Sequence, residues 1–531
     1  MKKMQAGRWI WAMATAVLLV AQWADAAPGK ASAKIDRLVT AKLDELGIPV
    51  SDPCTDEVFL RRVYLDMIGT IPTPNESKRF LSSNGANKRS KLIEELFERA
   101  EFADYWALKW CDLFRVKAEF PSKLWPNAVQ AYHRWVRTAL FENMPYDEFA
   151  HTLLTSSGSN FRVAPVNFYR AMPKREPEEI AGIVALTFMG MRTDNWKKEK
   201  LQGMAAFFGQ IGYKSTAEWK EEIVFFDSTK TYCYPDSEKV VPAKLPDGTA
   251  VKLSASQDPR QVLADWLVKD KAFANNVVNR IWFWLLGRGI VHEADDFRED
   301  NLPQNAALLD FLSKELVNSG YDLRHIYRII LNSKTYQLAS IHNEGNLSDE
   351  ANFSRYYVRR LGAEVLIDAI CQITQTTEAY SSEIPEPFTF IPENQRSIKL
   401  ADGSITSPFL DLYGRPSRDT GFESERNNTP SAAQKLHLLN STHIQQKIAN
   451  NKKLLGAQYK KVKGKKKPVQ SWLPPQQAIE QMYLTILSRY PSTKEANKAL
   501  AYIRDSGQGR HNASVDLVWA LLNTKEFIFK H

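Results

Sequence analysis

The densest chemistry in the chain follows Gly287-Arg288-Gly289. There an apolar, tryptophan-bearing stretch gives way at once to His292, Glu293, Asp295, Asp296, Arg298, Glu299 and Asp300. Adjacent carboxylates such as Asp295 and Asp296 can act as acid and base, bind a cation, or grip sugar hydroxyls. They can equally form an ion-pair and capping cluster that locks the turn, with Arg280 and Arg288 as available partners. Buried acids paired to arginine need no catalytic purpose. Asp411 and Arg415 in FLDLYGRP, and Glu425-Arg426 with His437, are features of the same kind. Arg359 and Arg360 precede Glu364 and Asp368 at roughly one-turn spacings that suit intrahelical pairs. The candidate cluster is therefore Arg280, Arg288, Asp295, Asp296, Arg298, Asp411, Arg415, Glu425, Arg426 and His437. Any ligand cleft is expected where the second half of the chain meets a long loop over residues 377–430.

Stronger signatures are missing. The sequence has no GxSxG, no HExxH, no phosphate-binding Walker loop, and no GxGxxG opening a helix after a strand. The nine histidines are scattered. His437 and His443 are six apart, a poor ligand spacing on one helix, and His292 and His325 stand alone, so nothing points to a metal. Cys54, Cys111, Cys233 and Cys371 form no CxxC or CxxCH, and both disulfides and free buried thiols stay open.

The elements that must position these residues are mostly helical. At 531 residues the chain is too long for one core. Its 44% hydrophobic and 25% charged residues exclude disordered and fibrous classes. An apolar 3.6-residue period runs through residues 35–46, 56–68, 88–99 and 102–114, and again over 127–143 and 145–155. Thr73-Pro74-Asn75-Glu76 is a capping box. Helices are also expected over 177–189 and 196–208. From about 222 to 253 the residues alternate and β-branch around the turn Pro246-Asp247-Gly248, which reads as a small β insert. Asp258-Pro259 then opens a second helical series: 262–268, 274–286, 305–318, 323–332, 358–374 and 431–449, with three more helices after Pro475. The fold class is mainly α: two helical domains, 33–215 and 257–531, with a β insert at 216–256 between them.

The N-terminus has a basic region (Lys2, Lys3, Arg8), an apolar stretch over 9–20, and Ala24-Asp25-Ala26, which fits a cleavage site. Residues 1–26 are therefore expected to be a signal peptide, and the mature protein to be exported, to the periplasm or outside, with no stable membrane span. The formal charge is +9, and about +7 without the leader; an exported protein with that charge spread thinly is not expected to bind nucleic acid. The one concentrated patch is the lysine cluster from Lys460 to Pro468, which reads either as a polyanion site or as a solvated loop.

NRIWFWLLGRGIVHEADDFREDN, SGYDLRHIYRIILNSKTYQLAS, YYVRRLGAEVLIDAICQIT, SPFLDLYGRP, SERNNTPSAAQKLHLLN and ALLNTKEFIFKH resemble the planctomycete-specific domain of unknown function. FLRRVYLDMIGTIPTPNESKRFL, YWALKWCDLFR, and FMGMRT with GMAAFF resemble its usual partner, the planctomycete cytochrome-associated domain. The resemblance implies export and assigns no reaction. It would imply covalent c-type haem through a CxxCH between the last two motifs. Here Met191-Arg192-Thr193 runs directly into Asp194-Asn195-Trp196, and Phe422 and Ser424 stand where relatives carry cysteines. No cofactor is therefore expected. The leading expectation is an exported helical protein of the cell envelope that binds or scaffolds an unknown ligand, protein or polysaccharide. The alternatives are an exported hydrolase of polysaccharide using paired carboxylates, and a redox accessory protein, which the missing CxxCH disfavours.

Overall fold

The computed structural model describes residues 28–254, 256–460 and 469–531; the leader stretch and most of the lysine cluster lie outside the described residues. Helices form where apolar spacing and caps agree. Asp56–Ile68 ends at Gly69 in the left-handed conformation, where an added Cβ would meet the Tyr105 ring at 2.4 Å. Pro74–Ser82 starts with the expected capping box: the Thr73 hydroxyl accepts from the Glu76 amide, and the Thr73 amide donates to the Glu76 carboxylate. Lys271–Leu286 opens on Asp270, which accepts from the Ala272 amide, and closes on Gly287 at φ +88°. No helix among the described residues is long and apolar enough to cross a membrane.

Four local expectations change. The helix over 431–449 is two, Ala432–Asn440 and Thr442–Asn450, because Ser441 caps the second through its hydroxyl. The apolar segment after Pro177 forms Pro177–Val184 and then widens into a π turn, Ala185–Met189. The β region begins earlier than expected: Ile211–Ser215 pairs antiparallel with Glu222–Phe226, whose other edge holds Gly158–Ser159. Residues 240–253 make only isolated bridges, such as Lys244 with Ala250, since Pro242 and Pro246 cannot donate to a ladder. Finally, Arg359–Arg360 lies outside the helix Ala363–Thr374 and pairs instead with Phe529–Lys530.

The apolar core is continuous from Ile35 to Phe527. Its centre is aromatic. Trp106 and Trp110, from the helix Ala100–Leu113, each lie 5.4 Å from Trp284 of Lys271–Leu286. Burying a large apolar side chain contributes about 1.5–3 kcal/mol, so these rings weld the early helices to the later ones. A second seam ties Asp56–Ile68 to the end of the chain. Asp66 is fully buried and accepts from the hydroxyls of Tyr336 and Tyr356 and from Lys530. Arg62 donates to the His531 carbonyl at 3.0 Å and lies 3.7 Å from the centre of the Tyr356 ring. The four cysteines are unpaired. The long loop is ordered against the body, with Phe409 and Tyr413 buried and stacked at 4.1 Å, whereas Phe388 and Phe390 are exposed.

Candidate functional site

One face of Ala100–Leu113 carries Tyr105, Leu108, Lys109 and Asp112, at spacings that place them along a single stripe. Opposite it, Lys271–Leu286 ends with its last carbonyls unsatisfied by the helix. Arg359 caps them, donating to the carbonyls of Trp284 at 3.0 Å and Leu285 at 2.7 Å. Gly287 is required there, since a Cβ would meet the Arg359 side chain at 2.5 Å. The strand pair Arg359–Arg360 with Phe529–Lys530 forms a third wall, and residues 423–430 a fourth. Together they enclose a cavity of about 470 Å³.

Five cationic side chains line it, Lys109, Arg359, Arg360, Arg426 and Lys530, against two acids, Glu364 and Glu423. Most of these charges are held by the protein itself. Arg426 bonds Glu364 through both terminal nitrogens, at 2.6 and 3.1 Å, and Asp112 at 2.7 Å. Burial alone would raise the Glu364 carboxyl, but Arg426, helped by Arg415, outweighs it and brings the pKa down to about 2. Arg360 donates to the carbonyls of Tyr413, Asn427 and Asn428. Lys530 is held by Asp66.

Lys109 is the exception. Its ammonium has no hydrogen-bond partner among the described residues, and only charges at longer range act on it. Burial, and then Arg426, bring its pKa down to about 8, partly opposed by Glu423, Asp112 and Glu364. Burial raises Glu423 in the same cavity, against the pull of Lys109 and Arg280. The Nε of Arg359 and the Oδ1 of Asn428 are also buried without partners.

The residues singled out from sequence do not form one cluster. Asp295 is fully buried, but its partners are neither Arg280 nor Arg288: one oxygen takes Arg192 at 3.1 Å and the other the Glu423 amide at 2.9 Å. Arg280 is buried on Asn276 and the Leu186 carbonyl, the widened turn having brought that carbonyl within reach. Arg288 has a buried Nε without a partner. Asp296 pairs with Arg298 at 3.1 Å, and Arg298 also reaches Asp300, all on the surface side of the turn. Asp411 accepts from the Thr406 hydroxyl, and Glu425 from Ser417 and the Asp419 amide. Arg415 is bound mainly to loop carbonyls, with Glu364 3.7 Å away. His437 packs edge-on to Tyr413 and Phe409, and its ring lies 6.0 Å from that of His443, which meets Glu378. Among the described residues no three His, Cys, Asp or Glu side chains are placed to hold a metal.

Of the ten, only Arg426 lines the cavity; Asp295 fixes the backbone of its fourth wall, and Arg415 backs Glu364. The expected intrahelical pairs of Arg359 and Arg360 are not formed, because both arginines precede the helix: Glu364 takes Arg426 and Asp368 takes Arg396. Sequence reasoning missed Lys109, Asp112, Glu423, Lys530 and Asp66. A signal for two of them was available: Lys109 and Asp112 interrupt an aromatic stripe four and seven residues after Tyr105, so they share its buried face.

The segments FLRRVYLDMIG, YWALKWCDLFR, NRIWFWLLGRG, YYVRRLGAEV, SERNNTP and EFIFKH are far apart in the sequence, yet each contributes a residue to the cavity wall. Comparison with known proteins finds two family models along the chain. Residues 34–212 match the family model PSCyt2, described as a protein of unknown function (DUF1549), and residues 259–503 match PSD1, also described as a protein of unknown function (DUF1553). No curated protein and no solved structure matches the chain. The order of the two matches, spanning most of the sequence, makes this chain a member of the two-domain family in which a PSCyt2 domain precedes a PSD1 domain.

Proposed function

We propose that this is an exported binding protein of the cell envelope whose cavity takes a small anionic ligand. The carrying observation is Lys109: an uncommitted cation on the wall of a cavity whose other cations are already bonded. The arginines supply a positive field at short range and low dielectric, and Lys109 supplies the free donor. A volume of about 470 Å³ suits a small molecule better than a polymer chain. Export rests on Lys2, Lys3, Arg8, the apolar stretch and Ala24-Asp25-Ala26. The N-terminus of the secreted protein, sequenced directly, is expected to begin at Ala27.

A carboxylate-pair hydrolase built on Asp295 has less support, since both of its oxygens are engaged inside the fold. Covalent haem does not fit either. Arg192, from the stretch where the resemblance would place CxxCH, lies 5.1 Å from the Phe422 ring, and no neighbouring cysteines are present. The binding reading is tested by thermal shift of the mature protein with sulfate, phosphate, lactate and glucuronate against neutral sugars. Anions are expected to raise the melting temperature, and Lys109→Met to abolish the rise. Equal shifts from neutral sugars, or anion shifts that persist in Lys109→Met, would end it.

A further inference from the structure

We infer that the cavity takes a small oxo acid and that Lys109 captures it covalently, the Nζ joining the carbonyl carbon as an imine. This rests on the anion-pocket reading and goes beyond it. An amine becomes a useful nucleophile when it is desolvated or placed beside other cations, because either circumstance releases its proton near neutrality. Lys109 is half-buried and lies beside other cations. Tyr105, Leu108 and Trp284 line the same cavity, while Arg426 and Lys530 bring positive charge from two other walls. The acids that face it, Glu423, Asp112 and Glu364, do not hydrogen-bond it, so the nitrogen is free to reach a ligand.

The neighbours divide the remaining work. Arg359 is bonded to helix carbonyls and to Tyr356, Arg360 to loop carbonyls, Arg426 to two carboxylates, and Lys530 to Asp66. None of them competes for the carbonyl carbon, and their summed charge favours a ligand that carries a carboxylate. Burial raises the Glu423 carboxyl toward its protonated form, against Lys109 and Arg280, and Glu423 lies in the same wall system. The step balances. The free amine of Lys109 adds its lone pair to the carbonyl carbon, and the carbonyl oxygen becomes a hydroxyl after proton transfer from nitrogen. That hydroxyl then leaves as water with a proton from Glu423, and the nitrogen keeps the new double bond to carbon. The Glu423 carboxylate recovers a proton from the resulting iminium or from solvent. No oxidant or reductant is needed.

Reductive trapping tests this. The mature protein is incubated with pyruvate and cyanoborohydride, digested, and the modified lysines are located by mass spectrometry. The expected result is an adduct concentrated on Lys109 and suppressed by excess lactate, which carries the same carboxylate without a carbonyl. Labelling should be about tenfold greater at pH 9 than at pH 7, as the amine fraction rises through a pKa of about 8. Lys109→Arg should lose the adduct. If that variant does not fold, lactate protection of the unmodified chain decides the matter. Adducts spread over surface lysines, or indifferent to lactate, overturn the imine. A lactate thermal shift without any Lys109 adduct overturns it too while leaving the anion pocket standing; absence of both removes the pocket reading as well.

Discussion

Two charged regions of this molecule invite comparison: the turn over residues 292–300 and the cavity between Ala100–Leu113 and Ala363–Thr374. The turn has the greater density of charge in sequence. Its acids share two arginines: Arg298 serves Asp296 and Asp300 at the surface, and Arg192 serves Glu293 and Asp295. The cavity gathers its charges, Lys109, Arg359, Arg360, Glu364, Glu423, Arg426 and Lys530, from four distant stretches of the chain, and there Arg426, Glu364 and Asp112 form a network with little water to screen it. Charge density along a chain therefore marks solvation more than function. What distinguishes a site is charge in low dielectric with one group left unpaired. Asp295 joins the two regions: it sits in the turn by sequence, yet holds the cavity wall through the Glu423 amide.

Substitutions can sharpen or break this contrast. The largest effect is expected from Glu364→Ala. It strands Arg426 and Arg415 without one of their acids, a class of change that costs about 3–5 kcal/mol in chemical denaturation. A loss below about 1 kcal/mol would mean the network is solvated like the turn. The same carboxyl sets an acid limb. Its folded pKa, about 2, lies below the ordinary value of 4.5, so its stabilisation is fully present above that ordinary value and is lost as pH falls toward 2. Denaturation midpoints followed from pH 5 to pH 2 should fall less steeply in Glu364→Gln.

Asp295→Asn is expected to come next, at about 1.5–3 kcal/mol, through two charge-assisted bonds weakened together. Faster hydrogen exchange over residues 423–426 would accompany it, and unchanged exchange there would detach Asp295 from the cavity. A subtler difference concerns ligand affinity. Lys109 is charged below its pKa of about 8 and neutral above, so simple anion affinity should drop as pH rises through 8. Calorimetric titration with sulfate at pH 7 and pH 9 would show it, and a flat profile would shift the role to the arginines. The smallest effect belongs to Arg298→Ala in the turn, within about 0.5 kcal/mol and without change in anion binding. A loss of several kcal/mol there would erase the comparison.

Much of the fold was legible because local rules and tertiary packing agree. The helix Asp56–Ile68, the capping box at Thr73, Asp258 and Gly287 all follow from spacing and caps that act within a few residues. The site was less legible. Arg426 and the neighbourhood of the long loop were found, because a charged stretch beside apolar helices is visible in one dimension. The partners of Asp295 were misassigned because Arg280 and Arg288 are near in sequence, while Arg192 arrives from 103 residues away. Arg359 and Arg360 were placed on a helix face, whereas the strand Phe529–Lys530 draws them out of it.

The sequence by itself determined the helical class, the order of the two domains and most caps, since these depend on periodicity and on backbone groups satisfied nearby. Only the tertiary structure decided which charge is left over. Pairing is a property of the whole set: Lys109 stays free because Asp112 and Glu364 are taken by Arg426, and Asp66 by Lys530. None of those assignments can be read until four walls from distant parts of the chain have closed around one cavity.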